Sequence, residues 1–334
     1  MQVPLDHGFQ VMLEESRRQA ILKGKGKPKM PSFPRPVWKY PTLQERKYVN
    51  YLITLFAPMS KASVRWVKNE YPGALAKYQD KRDSDAWGYY ADADSFGLTY
   101  RLRQDLETEQ TAMDLGPGGS VEATVYSTGD AVAAWNAKRW ATERAIALGH
   151  VYDPAEPWMR EALDEWTKTD LRLIKGLADE YIQRIETSVL EAVQVGKRPE
   201  DLLVDILRAN KGMTVDRARL IATDQTGKLL GQINKARSQA IGLNKYQWLT
   251  VGDKRVRPTH QNANNKIGIW ENSGVWVEGG KQVPRGSSSP QAHPGQEIAC
   301  RCSSAAVWSE LLQPVDENLL NDPYVQEELR RMGY

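Results

Sequence analysis

"NKARSQAIGLNKYQWLTV", Asn234–Val251, carries the change of period on which the fold depends. Before it, "VDRARLIATDQTGKLLGQINKARSQAIG" reads as one helix, with Thr214 as its cap and Gly242 as its stop. After Asn244, "KYQWLTV" is β-branched and aromatic with partial alternation, the signature of a strand. "GVWVEG" (274–279) and "IACRCSSAAVW" (298–308) are further strand candidates. Gly-, Ser-, Pro- and Asn-rich loops separate them, notably "GGKQVPRGSSSPQAHPGQ". A helix followed by strands predicts a small α+β module over residues 214–310.

Upstream, residues 41–213 predict a mostly helical region. Thr42-Leu-Gln-Glu45 is a capping-box pattern that opens "LQERKYVNYLITLF". Pro58 is expected to stop that helix, and Ser60 to cap another that ends at Pro72-Gly73. Residues 80–96 read as a loop and 98–114 as helix. The run Gly116-Pro117-Gly118-Gly119 is a break. Asp130 is expected to cap a helix ending at Leu148. The longest helical stretch runs from about 156 to 195, its apolar positions 171, 174, 177, 181/182, 185 and 189 stepping by three and four. Gly196 ends it, Pro199 opens the next helix, and Gly212 is expected to close that one.

Residues 1–40 read as an extended arm. A short amphipathic helix is expected over Gln10–Leu22, followed by Lys23, Lys25, Lys27 and Lys29 spaced by Gly and Pro. A proline-rich run bearing Met30, Phe33, Val37, Trp38 and Tyr40 comes next, suited to lying along a surface. Residues 311–334 read as a polar tail.

Charge excludes a chain-wide nucleic-acid surface, because 45 Lys and Arg against 42 Asp and Glu leave a net charge of only +3. Eleven Trp and fourteen Tyr against four Phe favour surfaces half buried against partners, or an ordinary core rich in polar-tipped rings. The two cysteines, one residue apart, cannot form a disulfide framework, which points to a reducing compartment. No apolar run reaches the ~18–20 residues that span a bilayer. The start, "MQVPLDHGFQ", lacks the features of a secretory signal.

Several segments in a fixed order resemble the Mu F-like phage head-morphogenesis proteins, also called minor head or minor capsid proteins. They are Asp224-Gln225-Thr226-Gly227-Lys228 on a helix and Tyr246-Gln-Trp248-Leu-Thr250. Asp253-x-Arg255-Val-Arg257-Pro-x-His260 follows, then Pro294-Gly295…Ile298-x-Cys300-Arg301-Cys302. The resemblance covers roughly 90 residues, and the helix pair over about 155–212 fits the family's usual lead-in. It implies a structural virion protein, not an enzyme, made in the bacterial host cytoplasm and held inside the capsid near the portal. Portal protein, major capsid protein and packaged double-stranded DNA are its implied partners, and head assembly and DNA packaging its role. One departure stands out. The family tends to carry an acid shortly after the histidine, and this chain has Ala263-Asn264-Asn265. An amide cannot act as a base or an anionic ligand, but Asn tolerates the positive φ of a turn.

The reactive residues allow more than one reading. If Cys300-Arg301-Cys302 is a strand, both thiols share a face, and with His260 and His293 they make a Cys₂His₂ set suited to structural zinc. The same cysteines also serve as small buried apolar residues. Asp253, Arg255, Arg257 and His260 fit either a phosphoryl-directed centre or a hydrogen-bonded turn in which Asp253 pairs with Arg255 or Arg257. No carboxylate adjoins His260, and neither a nucleophile elbow nor a P-loop is present. His7 and His150 have no evident partners in sequence. The arm lysines suit non-specific contact with phosphates or with the portal, or a solvated linker. Two rivals to a structural role remain: an injected effector enzyme (a nuclease or ADP-ribosyl-type toxin), and a non-specific binder of packaged DNA.

Overall fold

The computed structural model describes residues 37–82, 87–148 and 155–312, with the backbone alone at 81, 82, 87–96, 98, 148, 311 and 312. The arm lysines, the Gln10–Leu22 segment, His7, His150 and the tail from 313 lie outside the described residues. Among the described residues the chain forms two compact units, one within 42–129 and 163–223, the other within 37–41, 130–162 and 224–312. The fold is α+β, with a helical N-terminal region and a five-stranded antiparallel sheet near the C-terminus.

The helices of the first unit are α1 (Thr42–Asn69), α2 (Tyr71–Arg82), α3 (Trp87–Thr111), the start of α4 (Ser120–Leu148), most of α5 (Met159–Gln194) and α6 (Pro199–Asn210). α1 begins at the predicted Thr42, but Pro58 does not stop it and Ser60 is interior. Proline removes one helical donor. That loss is outweighed because Tyr48, Leu52, Phe56, Met59, Trp66 and Val67 form one buried stripe running through it. α3 begins at Trp87, so part of the expected 80–96 loop is helix. α4 starts at Ser120 rather than at Asp130. The Asp114 carboxylate accepts the Ser120 amide at 2.7 Å and Glu122 accepts the Gly118 amide at 2.5 Å. These two acids satisfy donors that a helix start leaves open. α5 buries the predicted positions Ile174, Leu177, Tyr181, Ile182, Ile185 and Val189.

After α6 there is no break. A π turn, Lys211–Asp216, carries the chain into α7 (Arg217–Ala240). Gly212 therefore does not close α6, and Thr214 caps nothing: its hydroxyl donates to the Asn210 carbonyl at 2.7 Å. Buried Asn210 takes a hydrogen bond from the Tyr181 hydroxyl at 2.5 Å and lies 3.3 Å from Ser63 Oγ. This polar knot holds the wider turn, a feature that seldom forms without local support.

The second unit is built on the sheet. Its order is β4-β3-β2-β1-β5, from β1 (Lys245–Leu249), β2 (Ile267–Ile269), β3 (Asn272–Glu278), β4 (Lys281–Pro284) and β5 (Ser303–Ala306). β1 lies between β2 and β5, with Tyr246 opposite Gly268 and Ala306. β2 and β4 were not expected. β4 follows a tight turn at Gly279 and Gly280, both at positive φ, as a two-residue hairpin requires. Tyr246, Trp248, Ala263, Trp270, Trp276, Cys300 and Cys302 form one buried cluster. In its middle lies Arg285. Its guanidinium stands 3.7 Å over the Trp276 ring. It donates to the carbonyls of Val275, Pro290 and Ala292 and, at 2.8 Å, to the Tyr246 hydroxyl.

Candidate metal centre

Three pieces of chain meet beside this cluster. The first leaves β1 through Gly252, at φ 74°, and re-enters helix as α8 (Pro258–Ala263), with Pro258 in its first turn. His260 on α8 is 2 % exposed, and the Trp248 ring packs edge-on against it at 5.5 Å. Asn265 then adopts φ 67°, while the Asn264 side chain accepts the Thr250 amide at 3.0 Å. The amide pair thus makes a turn, as its chemistry allows.

The second piece is the loop from His293 to Cys302. It lies directly on the backbone of α7. A Cβ on Gly227 would come within 2.4 Å of the Cys300 carbonyl, and one on Gly231 within 2.5 Å of the Pro294 carbonyl. Gly295, at φ 87°, faces Gly227 equally closely. Asp224 on the same helix accepts the Ala299 amide at 3.0 Å. The third piece is the end of the arm. Trp38 stacks on Tyr40, and its indole N–H donates to the Arg301 carbonyl at 2.8 Å.

Cys300-Arg301-Cys302 is not strand; β5 starts one residue later. The expectation that the thiols share a side nevertheless holds in space. His260 Nδ1 lies 3.3 Å from Cys302 Sγ and 3.5 Å from Cys300 Sγ. One donor atom from each of these three residues lies within 4.8 Å of the others. Arg301 turns elsewhere and donates to both oxygens of Asp253, at 2.8 and 2.9 Å. That contact, aided by the Arg255 amide, pulls the Asp253 carboxyl down to about 2. Asp253 therefore pairs with Arg301 as well as with Arg255, while Arg257 reaches Glu297 at 3.4 Å.

Glu297 was not anticipated. Its Oε2 stands 2.7 Å from His260 Nε2 and supplies the carboxylate that sequence adjacency did not. Its one sequence signal was to be the acid inside "HPGQEIACRC". Burial disfavours a charged His260, but the hydrogen bonds and charges of Cys300 and Glu297 outweigh it and raise the imidazole pKa. Cys302, acting as hydrogen-bond donor, lowers the Cys300 thiol despite burial, and His260 adds to the effect. Cys302 is raised in turn by Cys300 and by burial.

His293 stands apart from the three. Its Nδ1 lies 3.0 Å from the Tyr246 hydroxyl, and its ring packs on Trp270 at 5.3 Å. Burial, then Lys235 and Arg285, lower its pKa to about 4. The expected fourth ligand is thus a neutral member of the aromatic core.

Two chemistries share this geometry. The order thiol, imidazole, carboxylate is that of an activated cysteine nucleophile. Yet Cys300, Cys302 and His260 are 3 %, 4 % and 2 % exposed, so a substrate has no approach to the sulfur. Two sulfurs and one imidazole nitrogen converging on a point are also the donors that zinc takes. The buried cluster can hold a metal such as zinc.

Residues 183–305 match the family model described as phage Mu protein F like protein. These residues are a Mu F-like domain. The match begins within α5 and ends in β5, so it takes in the π turn, α7, His260 and the Cys300/Cys302 segment. The family is associated with phage head morphogenesis, and its members are generally structural head proteins. A protein of Haemophilus influenzae, described as "Uncharacterized protein", is 29 % identical over 177 residues. The aligned part is 53 % of this chain and 35 % of that protein, so the chain spans about a third of its relative. No solved structure matches the chain. No helix among the described residues is long and apolar enough to cross a membrane.

Proposed function

We propose that the protein is a phage minor head protein, a structural component held inside the capsid near the portal that supports head assembly and DNA packaging. The Mu F-like domain at residues 183–305 carries this reading. The burial of Cys300, Cys302 and His260 supports a structural rather than an enzymatic role, because a reaction centre needs a route for substrate. Portal protein is the expected direct partner, with major capsid protein and packaged DNA beside it. Lys23, Lys25, Lys27 and Lys29 are the expected phosphate or portal contacts, made without base recognition.

The test is location. Asymmetric reconstruction of intact particles, together with co-purification of the full chain with portal protein, should give density at the portal vertex and a stable complex. Particles that assemble, package and infect normally without the protein would overturn the proposal. So would a His260→Ala protein that builds normal particles but loses a nuclease or ADP-ribosyl-transfer activity present in the parent. Binding to DNA that falls steeply with salt, without any portal complex, would favour the DNA-binding rival instead.

A further inference from the structure

We infer that the domain binds one zinc ion through three side chains, His260 Nδ1, Cys300 Sγ and Cys302 Sγ, and that Glu297 is the positioning residue of this site. The site does not depend on where the protein acts in the particle, since its contacts all lie within the sheet-bearing unit.

The two histidine nitrogens are already assigned by their surroundings. Nε2 faces Glu297 Oε2 at 2.7 Å, which calls for an Nε2–H donor. That leaves Nδ1 with a free lone pair directed at the sulfurs, 3.3 and 3.5 Å away. A carboxylate behind the imidazole fixes its tautomer and orientation and strengthens it as a ligand. Glu297 is itself anchored, because Arg257 approaches the same carboxylate at 3.4 Å while also donating to the Ile298 carbonyl. The sulfurs are equally prepared. The Gly295 amide points at Cys300 Sγ at 3.4 Å, as an N–H does towards a thiolate. The loop bearing both cysteines is seated against α7 at Gly227 and Gly231 with no room to slide.

Charge argues the same way. Two thiolates this close repel, and in a buried site a divalent cation is what lets both ionise. The ion binds as each cysteine releases its proton to solvent, and two thiolates balance its charge. Three protein donors leave the fourth zinc position to a non-protein ligand. His293 does not supply it, being held by Tyr246 and Trp270. With all three donors buried, the ion acts as a tie between α8 and the segment before β5, joining positions forty residues apart, His260 and Cys300.

The experiment uses the full chain without a histidine tag, purified without chelator. Elemental analysis should give one zinc per chain. After chelator treatment, competition with a chromophoric indicator should show zinc taken up again at one equivalent. Cobalt(II) in its place should give the near-ultraviolet thiolate charge-transfer band of two cysteines and the visible bands of a tetrahedral ion. Cys300→Ser and Cys302→Ser should each lose stoichiometric zinc, whereas His293→Gln should keep it. Glu297→Gln should still saturate at one zinc but bind roughly 10- to 100-fold more weakly. Absence of uptake and of the cobalt thiolate band in the parent protein overturns the site, whether or not the cysteine variants fold. Loss of zinc in a folded His293→Gln protein overturns the three-ligand set. Parent-like affinity in Glu297→Gln overturns the role given to Glu297.

Discussion

The two units reach a folded core by opposite means. In the helical unit, a stripe such as Leu52, Phe56, Met59 and Val67 on α1 is generic: any well-sized apolar side chain at that spacing buries itself. The stripe is robust enough to absorb Pro58. In the sheet unit the core is small, aromatic and polar. Arg285, His260, His293 and two cysteines are buried there, and each is stable only through named partners. The helical core is held mainly by pattern, with the Asn210 knot as its polar exception, and the sheet core mainly by individual contacts, so single substitutions along the stripe and in the sheet core should be felt very differently.

Removing Arg285 is the strongest way to break this contrast. Arg285→Leu strips donors from the Val275, Pro290 and Ala292 carbonyls and the Tyr246 hydroxyl, and takes the cation from the Trp276 face. A loss of about 4 kcal/mol is expected in urea unfolding, given the usual cost of leaving buried polar groups unpaired. A loss under about 1 kcal/mol, the scale of an ordinary conservative swap, would show that this core too is generic.

Acid should act next, through His293. Its folded pKa of about 4 lies below the ordinary 6.5, so the unfolded chain takes up the proton first as pH falls. Stability is therefore full above pH 6.5 and falls progressively down to about pH 4, by about 3 kcal/mol at most for this group. The difference between parent and His293→Gln in denaturant midpoints across that window isolates it. A difference that does not vary with pH would mean that His293 titrates normally.

Glycines give the sharpest pairing. Gly227→Ala places a methyl within 2.4 Å of a backbone carbonyl, a clash that backbone alone must relieve. About 2–3 kcal/mol of destabilisation is expected from such overpacking. Gly176, exposed on α5, has nothing within 4 Å of its would-be Cβ. Gly176→Ala should raise stability by about 0.5–1 kcal/mol through helix propensity. Thermal melts of the two variants should move in opposite directions; movement in the same direction would erase the distinction between the units.

The same contrast governs what the sequence discloses. The long helix α5 was legible because its burial repeats every three or four residues. The switch to strand at Lys245 was legible because "KYQWL" changes residue class as well as period. Breaker residues misled wherever packing overrode them, as at Pro58, Gly212 and Asp130. β2 has only three residues and β4 is exposed along its length, so neither carries a hydrophobic pattern to read. The Gly279-Gly280 pair was the signal available for β4. In the site, His260 and the two cysteines were recognisable as chemistry. Glu297 and Arg285 were not, because a carboxylate or guanidinium in a polar loop looks solvated until the chain closes around it. Spacing likewise offered no means of separating His260 from His293. That distinction depends on which ring meets sulfur and which meets Tyr246.

The glycine face of α7 has a consequence in time. Gly227 emerges from the ribosome roughly seventy residues before Gly295, and contacts so distant in sequence form late. Until the second segment docks, α7 presents a bare strip of backbone, and both thiols stand open on a growing chain. The loop and its cysteines therefore take their places together, after α7 has been made. A nascent chain halted before residue 295 would have its helix finished but its seal unmade.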